Sequence, residues 1–357
     1  LAVDKVSGAT LTSEAVISAV TAALTEADAD IDAFKNNKVS KDGQDEELTA
    51  DVVVVGAGGS GTSAALAAAE AGLKVLIVEK NPTFGGNSKL ASGFFAIGTE
   101  LQKKEGLNLS VDKAVQDLME FNQYLSNGTI VRKVVENAAD TVEWLQDYGV
   151  EFYLPETTTQ KAHEDDLYKW KTYHKFVDQA AAFDNMYANL EKMGAEVRYN
   201  TSLDTIIKDD NGTVTGITAK KEDGGTLTVK ATATIICTGG FGADAEKTAE
   251  ALNSNLFNSL GMPNAGEGIT AIEEIGGFDL DGTPLLHACQ FAESTVKQDS
   301  AGENLAGFSD TSLTQVLNTP LLWVDSTGSR FTNEDVVYDT AFWANAAYTV
   351  GGKYYIV

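Results

Sequence analysis

The chain has 357 residues, enough for two or three domains with a sizeable core. Asp and Glu outnumber Lys and Arg 52 to 26, and the net charge of −26 argues against nucleic acid or an anionic membrane surface as a partner. It leaves room for an anionic small molecule held by a local cluster. Hydrophobic residues at 43% and charged residues at 22% are an ordinary globular balance, and no run approaches the ~20 apolar residues of a membrane span.

In chain order, residues 4–10 read Asp-Lys-Val-Ser-Gly-Ala-Thr. An alanine-rich helix is predicted next, capped by Thr12 or Ser13, with Ala15, Val16, Ala19, Val20 and Ala23 on one face. Residues 28–48 are polar, acidic and aperiodic, and are predicted to be a linker. Asp51 to Val55 is a short apolar run of the kind that forms a buried parallel strand. A glycine turn follows, then a helix ending near Gly72, then a second strand from Lys74 to Val78 with Glu79 at its tip. Helices are expected near 111–126, 129–148 and 176–193. Strands are expected at Glu196–Asn200, Leu203–Lys208, Val214–Lys220 and Thr226–Lys230, where Asp-Asn-Gly and Asp-Gly-Gly turns suit a β-meander. Ala233 to Cys237 reads as a further buried strand. A strand–turn–strand signal lies around 321–330, and residues 351–357 resemble a strand in mid-domain. The chain also begins abruptly at Leu1, and truncation at both ends is expected.

Cys237 and Cys289 are the only cysteines, too few for a disulfide framework or for a haem attached through Cys-x-x-Cys-His. Both sit in apolar stretches and are expected to be buried thiols. His163, His174 and His287 lack the spacing of metal ligands, and no metal is expected.

Gly56-Ala57-Gly58-Gly59-Ser60-Gly61 fits the GxGxxG pattern between a strand and a helix. The first glycine allows the tight turn. The second lets backbone approach a pyrophosphate, and the third lets the helix pack on the strand. The helix start offers free N–H groups and partial positive charge to phosphates. Glu79, about 20 residues on, is placed to accept ribose hydroxyls.

NAD and FAD share this fingerprint, and the residues that follow discriminate. Glu79-Lys80, Gly85-Gly86-Asn87-Ser88 and Ala91-Ser92-Gly93 resemble the cofactor run of flavoproteins of the fumarate reductase, succinate dehydrogenase and urocanate reductase group. Thr238-Gly239-Gly240-Phe241-Gly242 resembles the second dinucleotide contact of that family. Gly266-Glu267-Gly268 resembles its G-D-G segment, with Glu in place of Asp. The resemblance covers roughly 49–357 and implies FAD. It further implies an α/β fold: a Rossmann-like FAD-binding domain with an inserted β-meander and helices, plus part of an α+β substrate-capping domain. The implied organisation is the end of an FMN-binding domain at 1–27, the linker at 28–48, the FAD-binding domain at 49–280 and a partial capping domain at 281–357.

Asp4, Ser7, Gly8, Ala9 and Thr10 resemble the D-x-x-[ST]-G-A-T signature of FMN-binding domains, in which a flavin transferase joins FMN to the threonine. The resemblance implies covalent FMN on Thr10, a flavin transferase and an upstream electron donor as partners, and no haem in this chain. It also implies an extracytoplasmic location, cell surface or periplasm, with membrane attachment through a preceding segment compatible with it.

The reaction site matches less well. His287 stands near the family's substrate-carboxylate histidine, and Arg330-Phe331-Thr332-Asn333-Glu334 matches its R-F-x-N-E segment. Four residues past Glu334, where the family keeps an acid Arg, stands Tyr338. The positions of the proton-relay Glu and Arg fall on Thr314 and Leu317. The resemblance therefore implies reduction of an activated C=C bond in an enoate or enone rather than in fumarate, with Tyr338 and His287 as candidate catalytic residues. A flavin-dependent ketone dehydrogenase and an electron carrier with a non-catalytic pocket remain alternatives.

Overall fold

A computed structural model describes residues 10–27, 29–31, 41–122, 124–156, 171–253, 263–277, 316, 319–338 and 340–357. The chain forms two compact units that interleave in sequence. The first contains 1–91, 148–150 and 178–282, and the second contains 92–147, 151–177 and 283–357. The expected domains at 49–280 and 281–357 are continuous, whereas the chain passes between these units four times within the first of them.

The first unit is built on one six-stranded sheet. Its strands are β1 (Glu46–Val55), β2 (Val75–Val78), β6 (Glu196–Arg198), β7 (Thr201–Lys208), β8 (Val214–Lys221) and β9 (Thr226–Ile236), in the order β6-β2-β1-β9-β8-β7. The half from β6 to β9 is parallel, and β9-β8-β7 continue it as an antiparallel meander. Val53, Val55, Leu76, Val78, Ile217, Leu227 and Val229 form the core of the sheet.

Two strands differ from the sequence reading. β1 begins at Glu46, so the last three residues of the expected linker belong to the sheet. Only Val52–Val55 pair on both sides, with β2 and β9; Glu46 to Ala50 pair with β9 alone. That half alternates between exposed and half-buried, and Glu47 pairs with Lys230 at 2.7 Å. A strand so solvated reads as acidic linker. The expected strands at 226–230 and 233–237 are one strand, β9. It uses its first residues to pair antiparallel with β8 while pairing parallel with β1 along nearly its whole length.

Helix α1 (Thr10–Glu26) starts two to three residues before the expected cap, at Thr10 itself. Helix α2 (Gly59–Glu70) connects β1 to β2. Helix α6 (Gln179–Lys192) packs on α2 and starts later than expected, because Asp178 caps it by accepting from Ala181 N at 2.9 Å. Helices α7 (Ala245–Leu252) and α8 (Glu267–Glu274) complete the unit.

In the second unit, β3 (Gly93–Phe95), β5 (Tyr173–Phe176) and β4 (Phe152–Tyr153) form a small antiparallel sheet in the order β3-β5-β4. These strands are two to four residues long, too short to show an alternation in sequence. Helices α3 (Glu100–Lys104), α4 (Val111–Phe121) and α5 (Gly128–Asp147) belong to the same unit, and α4 and α5 share the core of Ile97, Leu109, Ala114 and Val135. Helix α4 ends five residues early, ahead of Tyr124 at φ 60°. A separate cluster of Trp323, Val337 and Trp343 joins β10 (Trp323–Val324), helix α9 (Thr340–Thr349) and β11 (Tyr355–Ile356). β10 pairs antiparallel with β11, and Val324 bridges Arg330. Among the described residues, no helix is long and apolar enough to cross a membrane.

Candidate dinucleotide-binding site

The C-terminal ends of β1, β2 and β9 open onto a cavity of about 640 Å³ within the first unit. Its size is that of small-molecule and cofactor sites, about 300–1,000 Å³, and its place at the carboxyl ends of parallel strands is where open α/β sheets bind ligands.

The glycine turn divides its labour as the pattern requires. Gly56 has φ +102°, and a Cβ there would meet the Cys237 carbonyl oxygen at 2.3 Å, so β1 can turn beside β9 only without a side chain. A Cβ on Gly61 would lie 1.8 Å from the Gly56 carbonyl oxygen, which fixes the close approach of α2 to the turn. Gly58 has open space within 4 Å of its missing Cβ and lines the cavity with Gly59 and Ser60. Gly58 is the N-cap of α2 and offers no side chain to the first-turn amides; the Gly59 N–H donates to Ser88 Oγ at 3.2 Å. The result is a helix start with room in front of it, of the kind that can accept an anion.

Ala57 is buried behind the turn. Its N–H donates to Glu79 Oε2 at 2.7 Å, and its carbonyl accepts from Gly85 N at 2.8 Å and from the Tyr187 hydroxyl at 3.2 Å. Glu79 is 7% exposed, lines the cavity, and accepts from the Asn81 N–H and Nδ2 at 2.8 Å each. A carboxylate has about four lone-pair sites, so acceptor capacity remains for a ligand hydroxyl. Behind the cavity wall Tyr187 stacks on Phe84 at 3.9 Å, and burial pushes its phenol up. Lys89 sits 4.6 Å above the Phe84 ring and pairs with Asp184.

Gly86, Asn87 and Ser88 line the cavity, and Gly85 bridges to Gly58 in parallel register. The lining ends at Leu90. Ala91 is outside it, and Ser92 and Gly93 belong to the second unit. There Ser92 Oγ bonds the Tyr173 hydroxyl, and a Cβ on Gly93 would lie 2.1 Å from the His174 carbonyl oxygen. Strand pairing therefore accounts for this glycine.

Thr238, Gly239 and Gly240 line the opposite bank, following β9, and Cys237 lines the cavity with them as a half-buried thiol. Burial raises the Cys237 thiol above its ordinary range. Glu267 opens α8 at the cavity edge and pairs with Lys80 at 2.5 Å. Burial would raise the Glu267 carboxyl, but the Lys80 ammonium and the nearby backbone N–H groups outweigh it and hold the group below its usual range. Gly268 is buried, and a Cβ there would come within 2.1 Å of Thr238 Oγ1, so this glycine seats α8 against the end of β9.

Pro263, Asn264 and Thr201 to Leu203 also line the cavity and carry no motif. Asn264 adjoins the Gly266-Glu267-Gly268 segment, and that adjacency is the only signal the sequence offers for it. These groups together fit a dinucleotide: an open helix start, a buried acceptor at a strand tip and glycine banks on both sides.

Of the positions named for the reaction site, His287, Thr314 and Leu317 lie outside the described residues, as do 4–9, His163 and Cys289. Arg330 and Glu334 form a bidentate ion pair at 2.7 and 2.6 Å, which lowers the Glu334 carboxyl to about 2. Tyr338 ends the 3₁₀ turn Glu334–Tyr338 that follows the pair. The third histidine, His174, is fully buried in the second unit, where Nε2 meets Thr99 Oγ1 at 2.8 Å. Burial lowers its pKa. Among the described residues, no group of three or more His, Cys, Asp or Glu is arranged to hold a metal.

Residues 51–354 match a family model described as an FAD binding domain. The chain is 31% identical over 316 residues to fumarate reductase (cytochrome) of Shewanella frigidimarina, covering 86% of this chain and 52% of that protein. It is 28% identical over 304 residues to vinyl phenol reductase of Lactiplantibacillus plantarum, covering 84% and 59%. It thus spans about half the length of the curated relatives it matches. The open conformation of a flavocytochrome c3 fumarate reductase superposes with a TM-score of 0.66 at 23% identity, over 90% of this chain and 57% of that one. That likeness is one of fold.

Proposed function

The chain belongs to the FAD binding domain family, and from that premise we propose that it is the FAD-bearing part of a reductase of activated carbon–carbon double bonds. The observation that carries the reading is a cleft built for a dinucleotide in a chain whose relatives are a fumarate reductase and a vinyl phenol reductase. Both names describe reductases, and their two substrates share a conjugated double bond.

FAD, when bound in this cleft, would supply reducing equivalents to that bond as hydride. The residues of the chain bind, orient and protonate. The 56–61 turn and the start of α2 hold the pyrophosphate, Glu79 takes ribose hydroxyls, and Gly239 and Gly240 admit the cofactor from the other bank. The second carbon of the substrate needs a proton, and Tyr338 supplies it as general acid, with His287 orienting the substrate. Fumarate is disfavoured as substrate: Thr314 and Leu317 stand where a Glu and an Arg would relay protons. A substrate with one carboxylate or none suits such a site better. Thr10 would hold FMN, esterified by a flavin transferase, as the route for electrons from an upstream donor outside the cytoplasmic membrane.

The test is reoxidation of the reduced full-length protein by a panel of enoates, enones and vinyl arenes, followed by flavin absorbance. We expect reoxidation by at least one member of the panel and little by fumarate. A protein that carries no flavin, or that none of the panel reoxidises, would overturn the reading.

A further inference from the structure

Lys80 follows Glu79 at the tip of β2 and lines the dinucleotide cavity, where a lysine would ordinarily be read as a phosphate ligand. Its ammonium is already engaged. It donates to the Pro263 carbonyl oxygen and pairs with Glu267 at 2.5 Å, with side-chain exposures of 23% and 30%.

The segment these bonds hold is tied on both sides. Asn264 Nδ2 donates to the Thr238 carbonyl oxygen at 3.0 Å, and the Asn264 carbonyl accepts from Ala243 N at 2.8 Å. Asn87 Nδ2 donates to Asn264 Oδ1 at 3.2 Å. Residues 263–267 therefore run from the 80–88 bank of the cleft to the 238–243 bank, with Lys80 the only charged anchor among these bonds. Glu267 is a carboxylate in the same cavity whose helix start is built for a pyrophosphate. In a chain of net charge −26 an uncompensated Glu267 would work against that ligand.

We propose that Lys80 is a positioning residue rather than a phosphate ligand: it neutralises Glu267 and holds the 263–267 segment across the cleft, so that the cleft accepts a doubly charged dinucleotide. This rests on the reading of the cleft as an FAD site. It predicts energetic coupling between two side chains, which a direct phosphate contact would not produce.

The experiment measures FAD dissociation constants for the full chain by flavin fluorescence, in the wild type, Lys80→Met, Glu267→Gln, the double variant and Lys80→Arg. Lys80→Met should weaken FAD binding by about 10- to 100-fold. The same substitution made in the Glu267→Gln background should cost at least about fivefold less, because the charge it would expose is gone. Lys80→Arg should restore most of the affinity. Without any flavin, hydrogen exchange of the 263–270 peptide should quicken in Lys80→Met and stay protected in Lys80→Arg. Equal cost of Lys80→Met in both backgrounds, or unchanged exchange, would overturn the proposal. A wild-type chain with no affinity for FAD would overturn the cofactor reading itself and this inference with it.

Discussion

The carboxylate of Glu79 accepts the backbone N–H of Ala57 at 2.7 Å, across 22 residues of sequence. This bond ties the tip of β2 to the middle of the glycine turn, and both residues are buried. Glu79 therefore organises the cleft before any ligand arrives: one oxygen fixes the turn, and the other fixes the backbone and side chain of Asn81.

Replacing Glu79 by Ala should consequently destabilise the cofactor-free protein as well as weaken FAD binding. A hydrogen bond to a charged group is worth about 1.5–3 kcal/mol, and the Ala57 N–H would be left buried without its acceptor. Thermal unfolding of the flavin-free chain should show the loss, and titration with FAD should show a further drop in affinity. If Glu79 served the ribose alone, the flavin-free melting point would not move.

Gly58 and Gly61 should part company on substitution. Alanine at Gly61 must push against the Gly56 carbonyl oxygen 1.8 Å from its Cβ, and overpacking costs about 1–3 kcal/mol even where side chains can give. Alanine at Gly58 meets nothing within 4 Å, at φ −77°, so the free fold should keep its melting point nearly unchanged. Its methyl group would project where the backbone must approach the pyrophosphate. The expected pattern is lost stability for Gly61→Ala, and lost FAD affinity with a normal melting curve for Gly58→Ala.

Gly56 and Gly61 are legible because a backbone demand excludes every other residue there, and Gly58 because it stands at the fixed spacing between them. Glu79 was legible by its distance from them. The extent of the sheet was not: Glu46 and Glu47 lie on a half-solvated stretch of β1, where acidic residues cost nothing and imitate a linker. Asn264 was invisible for a different reason. It reaches Asn87 from 177 residues away through one side-chain bond, and apart from its adjacency to the Gly266-Glu267-Gly268 segment nothing in sequence marks such a contact. Gly93 is ambiguous in sequence, since close pairing of β3 with β5 demands a glycine as firmly as a cofactor does.

His174 should make the protein acid-sensitive. The ring is fully buried, burial lowers its folded-state pKa below 6.5, and it is held by Thr99 and the Thr172 carbonyl. The unfolded chain then takes up a proton at a higher pH than the folded one. The contribution is complete above about pH 6.5 and is lost as pH falls below it, until the folded ring itself protonates. Melting temperatures measured from pH 7.5 down to 5 should fall more steeply in the wild type than in His174→Gln. Equal slopes would assign the acid sensitivity elsewhere.

Thr10 is the first residue of α1, in the segment that resembles an FMN attachment signature. Coexpression of the full-length protein with a competent flavin transferase should add one FMN phosphoester to the peptide containing Thr10, seen by mass spectrometry. Thr10→Ala should abolish the adduct and leave FAD binding intact. An unmodified Thr10 under those conditions would remove FMN from the electron path.

Tyr338 carries the most specific mechanistic claim. The bidentate pair of Arg330 and Glu334 opens the 3₁₀ turn that ends at Tyr338, and Val337 within that turn is buried against Trp323 and Trp343. The backbone that leads to Tyr338 is thus anchored at the start of the turn and within it. Hydride transfer leaves negative charge on the substrate, and a phenol can quench it by giving up its proton. A general acid contributes about 10²- to 10⁴-fold, so Tyr338→Phe should slow flavin reoxidation by that factor while FAD stays bound. Stopped-flow measurement with a substrate that reoxidises the wild type reads the effect. An unchanged rate would exclude Tyr338 as the acid and direct the same experiment to His287.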